Sequence, residues 1–327
     1  MRIFKLFTLA VILLLTLSGC NGLGGYTAPS DKRLVSAVGF DNEGGMVKVS
    51  VEAMKAEDGE NIKFKPYIIS ESGSDATQAI ARLSAQSYED FTLTHCRTFI
   101  LGKSLTAEQV EDILTFCINQ KQISLSATTV CSNNANETLK VSAMAENSTG
   151  FEINNMTEHN AENFGFGGHT SLYEVQTARM QSMNIYALPN LIITDNNISL
   201  KGMTVYIDDI PSAELDDEQS VAYSVMRNVF EGGEIIYDKG VYNIKSARAD
   251  VKAKLEKQKL YIDITLKAED NQTVLADIIE NTINDFDKDI FGIGDTLKLR
   301  YPEIWEMISS GYDEYYKNAE ITVKVGD

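Results

Sequence analysis

Histidine and cysteine are scarce: 327 residues include three His and four Cys. Few metal or redox centres can be built from so little imidazole and thiolate. Cations are in the minority as well. There are 29 Lys+Arg against 47 Asp+Glu, for a formal net charge of -18. A nucleic-acid binder needs a basic stripe along the phosphate backbone, and no Lys/Arg-rich run exists here. The same balance argues against electrostatic attachment to anionic lipid. Long apolar runs are absent except at the start of the chain. With 43% apolar and 23% charged residues, there is ample material for packed cores, and global disorder is excluded.

The single apolar run, Leu6 to Leu17, follows the basic residues Arg2 and Lys5. At twelve residues it is well short of the ~20 that a membrane-spanning helix needs. A basic start, a short greasy core and small residues after it describe a secretory signal peptide. Leu17-Ser18-Gly19-Cys20 then has the pattern of a bacterial lipobox. Small Ser18 and Gly19 let the backbone enter a narrow peptidase cleft, and the Cys20 thiol is the nucleophile that takes a diacylglyceryl group. Cleavage leaves Cys20 as a lipidated N-terminus. Loss of Met1–Gly19 removes two positive and no negative charges, so the balance becomes 27 against 47, or -20. The body is expected to be soluble, tethered, and on the non-cytoplasmic face of a membrane. Three cysteines remain, Cys96, Cys117 and Cys131. An odd number rules out a full disulfide framework, leaves room for one bridge, and fits small buried hydrophobes.

Hydrophobic periodicity predicts an α+β protein of two or three domains, each a mostly antiparallel β-sheet with packed helices. The expected layout is a signal peptide over 1–19 and a lipidated tether over 20–30. An N-terminal α+β domain, with room for a further split, covers 31–189, and a C-terminal α+β domain covers 190–327. Strands are expected at Leu34–Phe40, Met46–Met54, Ile62–Ser70, Cys96–Leu101 and Ser124–Val130. Helices are expected from Ser74 to Gln86, from Thr106 (a capping box with Gln109) to Asn119, and around Asn136–Ala145 and Thr170–Ser182. Ala187–Asn190, with Pro189, reads as the passage between domains. Strands at Leu191–Thr194 and Ile198–Asp208 and a solvated acidic loop over Asp208–Glu218 follow. Beyond them come a strand pair at Lys245–Leu255 and Lys259–Lys267, a helix over Asn271–Ile290, a helix starting at Pro302, and a closing strand at Ala319–Val325.

No GxSxG elbow, HExxH helix, Walker loop or EF-hand loop is present. Gly165–His169 is glycine-rich but lacks the preceding strand and spacing of a phosphate loop. His95, His159 and His169 form no i, i+4 pair. The acidic pairs Glu57/Asp58, Asp208/Asp209 and Asp216/Asp217 read as solvated surface in so acidic a chain. No enzyme, cofactor or metal is expected, and no catalytic residue is assigned.

Several segments carry a resemblance to a known family. They are Lys32–Asp41 behind Cys20, the strand His95–Gly102, the strand Lys201–Tyr206, and above all Asp289-Ile290-Phe291-Gly292-Ile293-Gly294 with Tyr301-Pro302-Glu303-Ile304-Trp305 and the Ala319–Val325 strand. In this order they resemble the Ger(x)C lipoproteins, the C subunits of spore germination receptors. Asn21 and a Gly-rich spacer stand where the family usually has Trp and an Arg pair. The resemblance implies separate α+β domains without catalytic activity. It also implies palmitate-bearing lipid attachment at Cys20, a place at the inner spore membrane, and integral-membrane receptor subunits as partners. A small-molecule germinant is left unassigned. The alternative at this level is a solute-binding lipoprotein of a transporter. On the residues alone, Gly292 and Gly294 permit a tight turn between two helices, which Asp289 caps or closes.

Overall fold

In the computed structural model, the residues described are 32–57, 63–86, 90–143, 148–164, 170–195 and 197–326. The segments expected as signal peptide and tether, with Cys20, lie outside them.

Alternating valines start the fold. Val47, Val49 and Val51 are buried while Lys48 faces outward, and they build β2 (Met46–Glu57) against β1 (Lys32–Glu43). The two strands are antiparallel with Glu43 opposite Met46, so Gly44-Gly45 is a two-residue turn, both at positive φ. β3 (Lys63–Gly73) extends this meander. α1 (Ala76–Ala85) follows, and its first turn is capped by Asp75 rather than by Ser74. A short β4 (Asp90–Thr92) pairs with β1. β5 (Thr98–Gly102) comes next, then α2 (Ala107–Asn119), which opens on the expected Thr106/Gln109 capping box. β6 (Thr128–Ser132), α3 (Ala135–Ala143), α4 (Thr149–Phe164) and α5 (Leu172–Arg179) lead to β7 (Ile185–Thr194), β8 (Asn197–Ile207) and β9 (Ile210–Leu215).

These strands form one sheet in the order β3-β2-β1-β5-β6-β7-β8-β9. Its centre, β1-β5-β6-β7, is parallel, and its two wings are antiparallel. Helices cover both faces of that centre, which is why every residue of β5 and β6 is buried. On one face Val38, Phe40 and Phe99 pack with α1, α2 and α5. On the other, Ala37, Ile100 and Val130 meet Leu139 of α3 and Ile153 of α4.

Two expectations need correction. Ala187–Asn190 is the middle of β7, not a passage between domains. Pro189 is paired with Met203 at a bulge, where the missing N–H is tolerated. Alternate residues of β7 serve two cores. Tyr186 and Leu188 belong to the N-terminal one, while Ile185 and Ala187 belong to the C-terminal one. A boundary between 189 and 190 would therefore cut a shared strand. The acidic stretch Asp208–Glu218 is structured rather than a solvated loop. Asp208-Asp209, both at positive φ, form the β8–β9 turn, and Asp216 caps α6 (Asp217–Met226) in a capping box with Gln219. Asp208, Glu214 and Asp216 are exposed, as expected of acidic surface, but the backbone they belong to is turn, strand and helix cap.

Beyond α6 lie the hairpin β10 (Gly233–Tyr237) and β11 (Gly240–Ile244), then β12 (Ala247–Glu256) and β13 (Lys259–Ala268). α7 (Gln272–Asp285), α8 (Ile293–Arg300), α9 (Pro302–Ile308), α10 (Tyr312–Lys317) and β14 (Glu320–Val325) complete the chain. β14 runs parallel to β13 and gives a sheet ordered β12-β13-β14. Leu260, Ile262, Ile264 and Leu266 of β13 are buried with Leu275, Ile278 and Ile279 of α7 in the C-terminal core. α7 ends five residues before the expected Ile290.

Candidate functional site

The motif Asp289–Gly294 explains that early end. Asp289 turns its carboxylate onto the segment that follows instead of continuing the helix. Its Oδ1 accepts from Phe291 N at 3.1 Å, and its Oδ2 accepts from Gly294 N and the Tyr312 hydroxyl, both at 2.8 Å. Burial pushes the Asp289 carboxyl above the ordinary carboxylate range, and the N–H donors at Gly294, Ile293 and Phe291 and the tyrosine hydroxyl work against that shift. The same burial and the neighbouring Asp289 charge raise the Tyr312 phenol well above its ordinary value, so it stays a donor. Gly292, at φ 72°, starts α8, and a Cβ there would lie 2.3 Å from Arg227 Nη1. That guanidinium donates to Phe291 O at 3.0 Å. The motif thus fastens α8, α10 and the end of α6 together. Trp305 completes the cluster, its ring 5.2 Å from that of Tyr312.

A cleft of about 840 Å³ opens beside this clasp, between α4 and α5 on one side and the end of α6 on the other. Tyr173, Tyr186, Tyr223 and Phe230 supply its aromatic wall, and Glu158, Glu162 and Glu231 supply carboxylates. Tyr186 donates to Asp209 Oδ1 at 3.0 Å, and Asp209 is gripped by Arg179 at 2.8–3.0 Å. This ion pair is nearly enclosed, with side chains 13% and 7% exposed. It fixes the β8–β9 turn to α5, and losing one partner would strand the other's charge. Burial first, and Asp209 second, hold the Tyr186 phenol well above its usual range, so the wall presents neutral rings rather than a general base. The volume suits a small organic ligand.

Two further buried carboxylates escaped the sequence reading. Asp41 accepts from Ala135 N at 2.8 Å and Asn136 N at 2.9 Å, at the start of α3. Burial raises its carboxyl, and the two N–H donors offset part of that shift. Glu52 accepts from Thr149 N at 2.9 Å and Gly150 N at 3.2 Å, at the start of α4. Hydroxyls of Ser36, Ser148 and Thr149 complete its shell. Each carboxylate meets the positive end of a helix and satisfies its orphan donors. The helix-start N–H groups lie 94 to 98 residues from the carboxylates they meet, so no local motif announces them.

Two family models match the sequence. Residues 26–193 match the spore germination protein N-terminal domain, and residues 271–326 match the spore germination B3/GerAC-like C-terminal region. The chain belongs to the Ger(x)C family of spore germination proteins. A solved structure described as the crystal structure of the GerBC protein is also similar to it. The identity is 14%, the alignment covers 88% of this chain and 95% of that one, and the TM-score is 0.48. No curated protein matches.

In this Ger(x)C chain the clasp at Asp289–Gly294 falls inside the C-terminal match; Gly292 caps α8 and Gly294 sits in its first turn, so the glycines expected in a turn between two helices open a helix that periodicity did not announce. The Lys201–Tyr206 segment lies in β8, between β7 and β9 of the first sheet. Cys20, the one site residue assigned from sequence, lies outside the described residues, as does the glycine-rich segment Gly165–His169. Cys96, Cys117 and Cys131 are free and buried. Desolvation pushes the Cys96 thiol up to about 12 and Cys131 up to about 11, and raises Cys117 well above its ordinary value. His95 and His159 are exposed and not brought together. Among the described residues no cluster of three metal-ligating side chains occurs, and no helix is long and apolar enough to cross a membrane.

Proposed function

We propose that this chain is the lipid-anchored subunit of a spore nutrient-germinant receptor. In this reading it sits on the non-cytoplasmic face of the inner spore membrane and works through contacts with integral-membrane subunits, without catalysing a reaction. The observation that carries the reading is the pair of family matches, in chain order, behind a lipobox that ends in Cys20. Each buried CH₂ of an acyl chain contributes ~0.8 kcal/mol, so a single chain holds only marginally and two hold stably. An anchor of that kind keeps the folded body near its partners and raises their effective concentration without a large interface. The chemistry of the fold supports the same reading. Its buried carboxylates Asp41, Glu52 and Asp289 close helix ends and turns.

Mass spectrometry of the protein from sporulating cells tests the anchor. The expected N-terminus is Cys20 bearing diacylglyceryl and palmitate. Isolation of the tagged chain from solubilised spore membranes tests the partnership. Co-recovery of multi-spanning subunits is expected, and recovery without them overturns it.

The cleft between α4, α5 and α6 favours a second reading, a solute-binding lipoprotein of a transporter. Its aromatic wall, with carboxylates at Glu158, Glu162 and Glu231 and guanidinium groups at Arg227 and Arg248, suits a small zwitterion or amine. Calorimetric titration of the mature chain with amino acids and polyamines separates the two readings, since only the second requires saturable binding.

A further inference from the structure

The net charge of -18 conceals a face of the opposite sign. β12, β13 and β14 bury one side against α7 to α10 and leave the other in solvent. On that open side the four carboxylates are each taken. Asp250 pairs with Arg300, Glu256 with Lys254 at 2.7 Å, Asp263 with Lys324 at 3.0 Å and Glu320 with Lys259 at 2.9 Å. Three exposed cations remain, Arg248, Lys252 and Lys267. Among the described residues no carboxylate pairs with any of them.

Their placement is costly in the free protein. Arg248 stands directly opposite Lys267 in the β12–β13 register, and like charges in that position repel. Lys252 lies two positions beyond Asp250 on the same face, about 13 Å from Arg248 along the strand. With Arg300 they line a recess of about 620 Å³, walled by Asn228, which holds both the N–H and the carbonyl of Ala249. Positive residues on an edge strand such as β12 guard against edge pairing. Lys267 is on the central strand β13, where no such guard is needed. One residue before Arg300, Leu299 is 83% exposed.

We propose that this open face of β12 and β13 docks on anionic phospholipid headgroups, with Arg248, Lys252 and Lys267 as the headgroup-contacting cations. The proposal rests on the membrane reading above and adds an orientation to it. An anionic bilayer repels the rest of this acidic surface and attracts this face, so the chain meets the membrane one way round. Leu299 adds an apolar contact at the same margin.

The experiment uses the chain from residue 20 onward with Cys20→Ser, so that no acyl chain contributes. Its co-sedimentation is measured with vesicles of phosphatidylcholine alone and of phosphatidylcholine mixed with phosphatidylglycerol. Binding is expected only to the mixed vesicles and falls as salt rises. Three cations at the surface should be worth about two orders of magnitude in partitioning. The variant Arg248→Gln, Lys252→Gln, Lys267→Gln should lose that much with an unfolding midpoint no lower than wild type, since it also removes the repulsion between Arg248 and Lys267. The variant Lys254→Gln, Lys259→Gln, which removes cations already paired, should lose far less. No preference for phosphatidylglycerol, or equal binding by the triple variant, overturns the proposal. So does a face required for recovery of a protein partner but not for vesicle binding. Failure of the anchor would show separately, as an unmodified Cys20 in the mass spectrum.

Discussion

Replacing Asp289 with alanine should loosen the C-terminal core, and the only tryptophan of the chain reports on it. The carboxylate serves three donors, Phe291 N, Gly294 N and the Tyr312 hydroxyl, all in residues buried in the protein. Orphaning a buried donor costs ~1–3 kcal/mol. Removing a buried carboxylate returns part of that sum, because its desolvation penalty disappears. The expected net loss is therefore about 3–5 kcal/mol. With an m-value of about 3 kcal/mol/M the urea midpoint falls by about 1–1.7 M. Trp305 stacks at an angle on Tyr312, so its emission should follow the transition directly. Tyr312→Phe removes one donor with the carboxylate in place and should cost about 1 kcal/mol. The pH dependence has a definite sign. The folded carboxyl is raised above its unfolded value, so the folded state binds the proton more tightly. Wild-type stability relative to Asp289→Ala should thus increase as pH falls through the raised folded value towards the ordinary 3.8. An Asp289→Ala unfolding free energy within about 0.5 kcal/mol of wild type, the range of ordinary surface changes, would refute the clasp.

Glu52→Gln turns an amide N–H toward the N–H groups that start α4. It should cost about 2–3 kcal/mol, and unchanged thermal unfolding would show that the helix end is satisfied some other way. Gly150→Ala places a Cβ 2.1 Å from Ser36 O and should push the first turn of α4 off β1, at about 2–3 kcal/mol; amide exchange in α4 is the readout, and wild-type protection would contradict the close approach. The three buried thiols should stay silent to Ellman's reagent at mildly alkaline pH until denaturant is added, and rapid labelling of Cys96 in the native chain would contradict its burial.

Legibility in the sequence followed the locality of each signal. Val47, Val49 and Val51 gave away β2 by alternation, and Thr106 with Gln109 marked the start of α2 within four residues. The turn at Asp289 was readable because its glycines and its carboxylate are neighbours. α4 escaped because its buried stripe is Thr149, Gly150, Ile153 and Thr157, small and mostly polar residues that leave no hydrophobic period. α6 escaped because an acidic stretch leads into it and its buried face includes Ser220 and Ser224. Asp41 and Glu52 act across nearly a hundred residues, and the cleft is assembled from α4, α5 and α6, two of which carry weak signals. Counting charges along the chain could not expose the positive face of β12 and β13 either, since every second residue there points into the core.

β7 is a party wall. Ile185 and Ala187 furnish one room and Tyr186 and Leu188 the room next door, so neither can be vacated while the other stays occupied. A protease nick after Pro189 should accordingly yield two fragments that stay together under native conditions and separate only in denaturant.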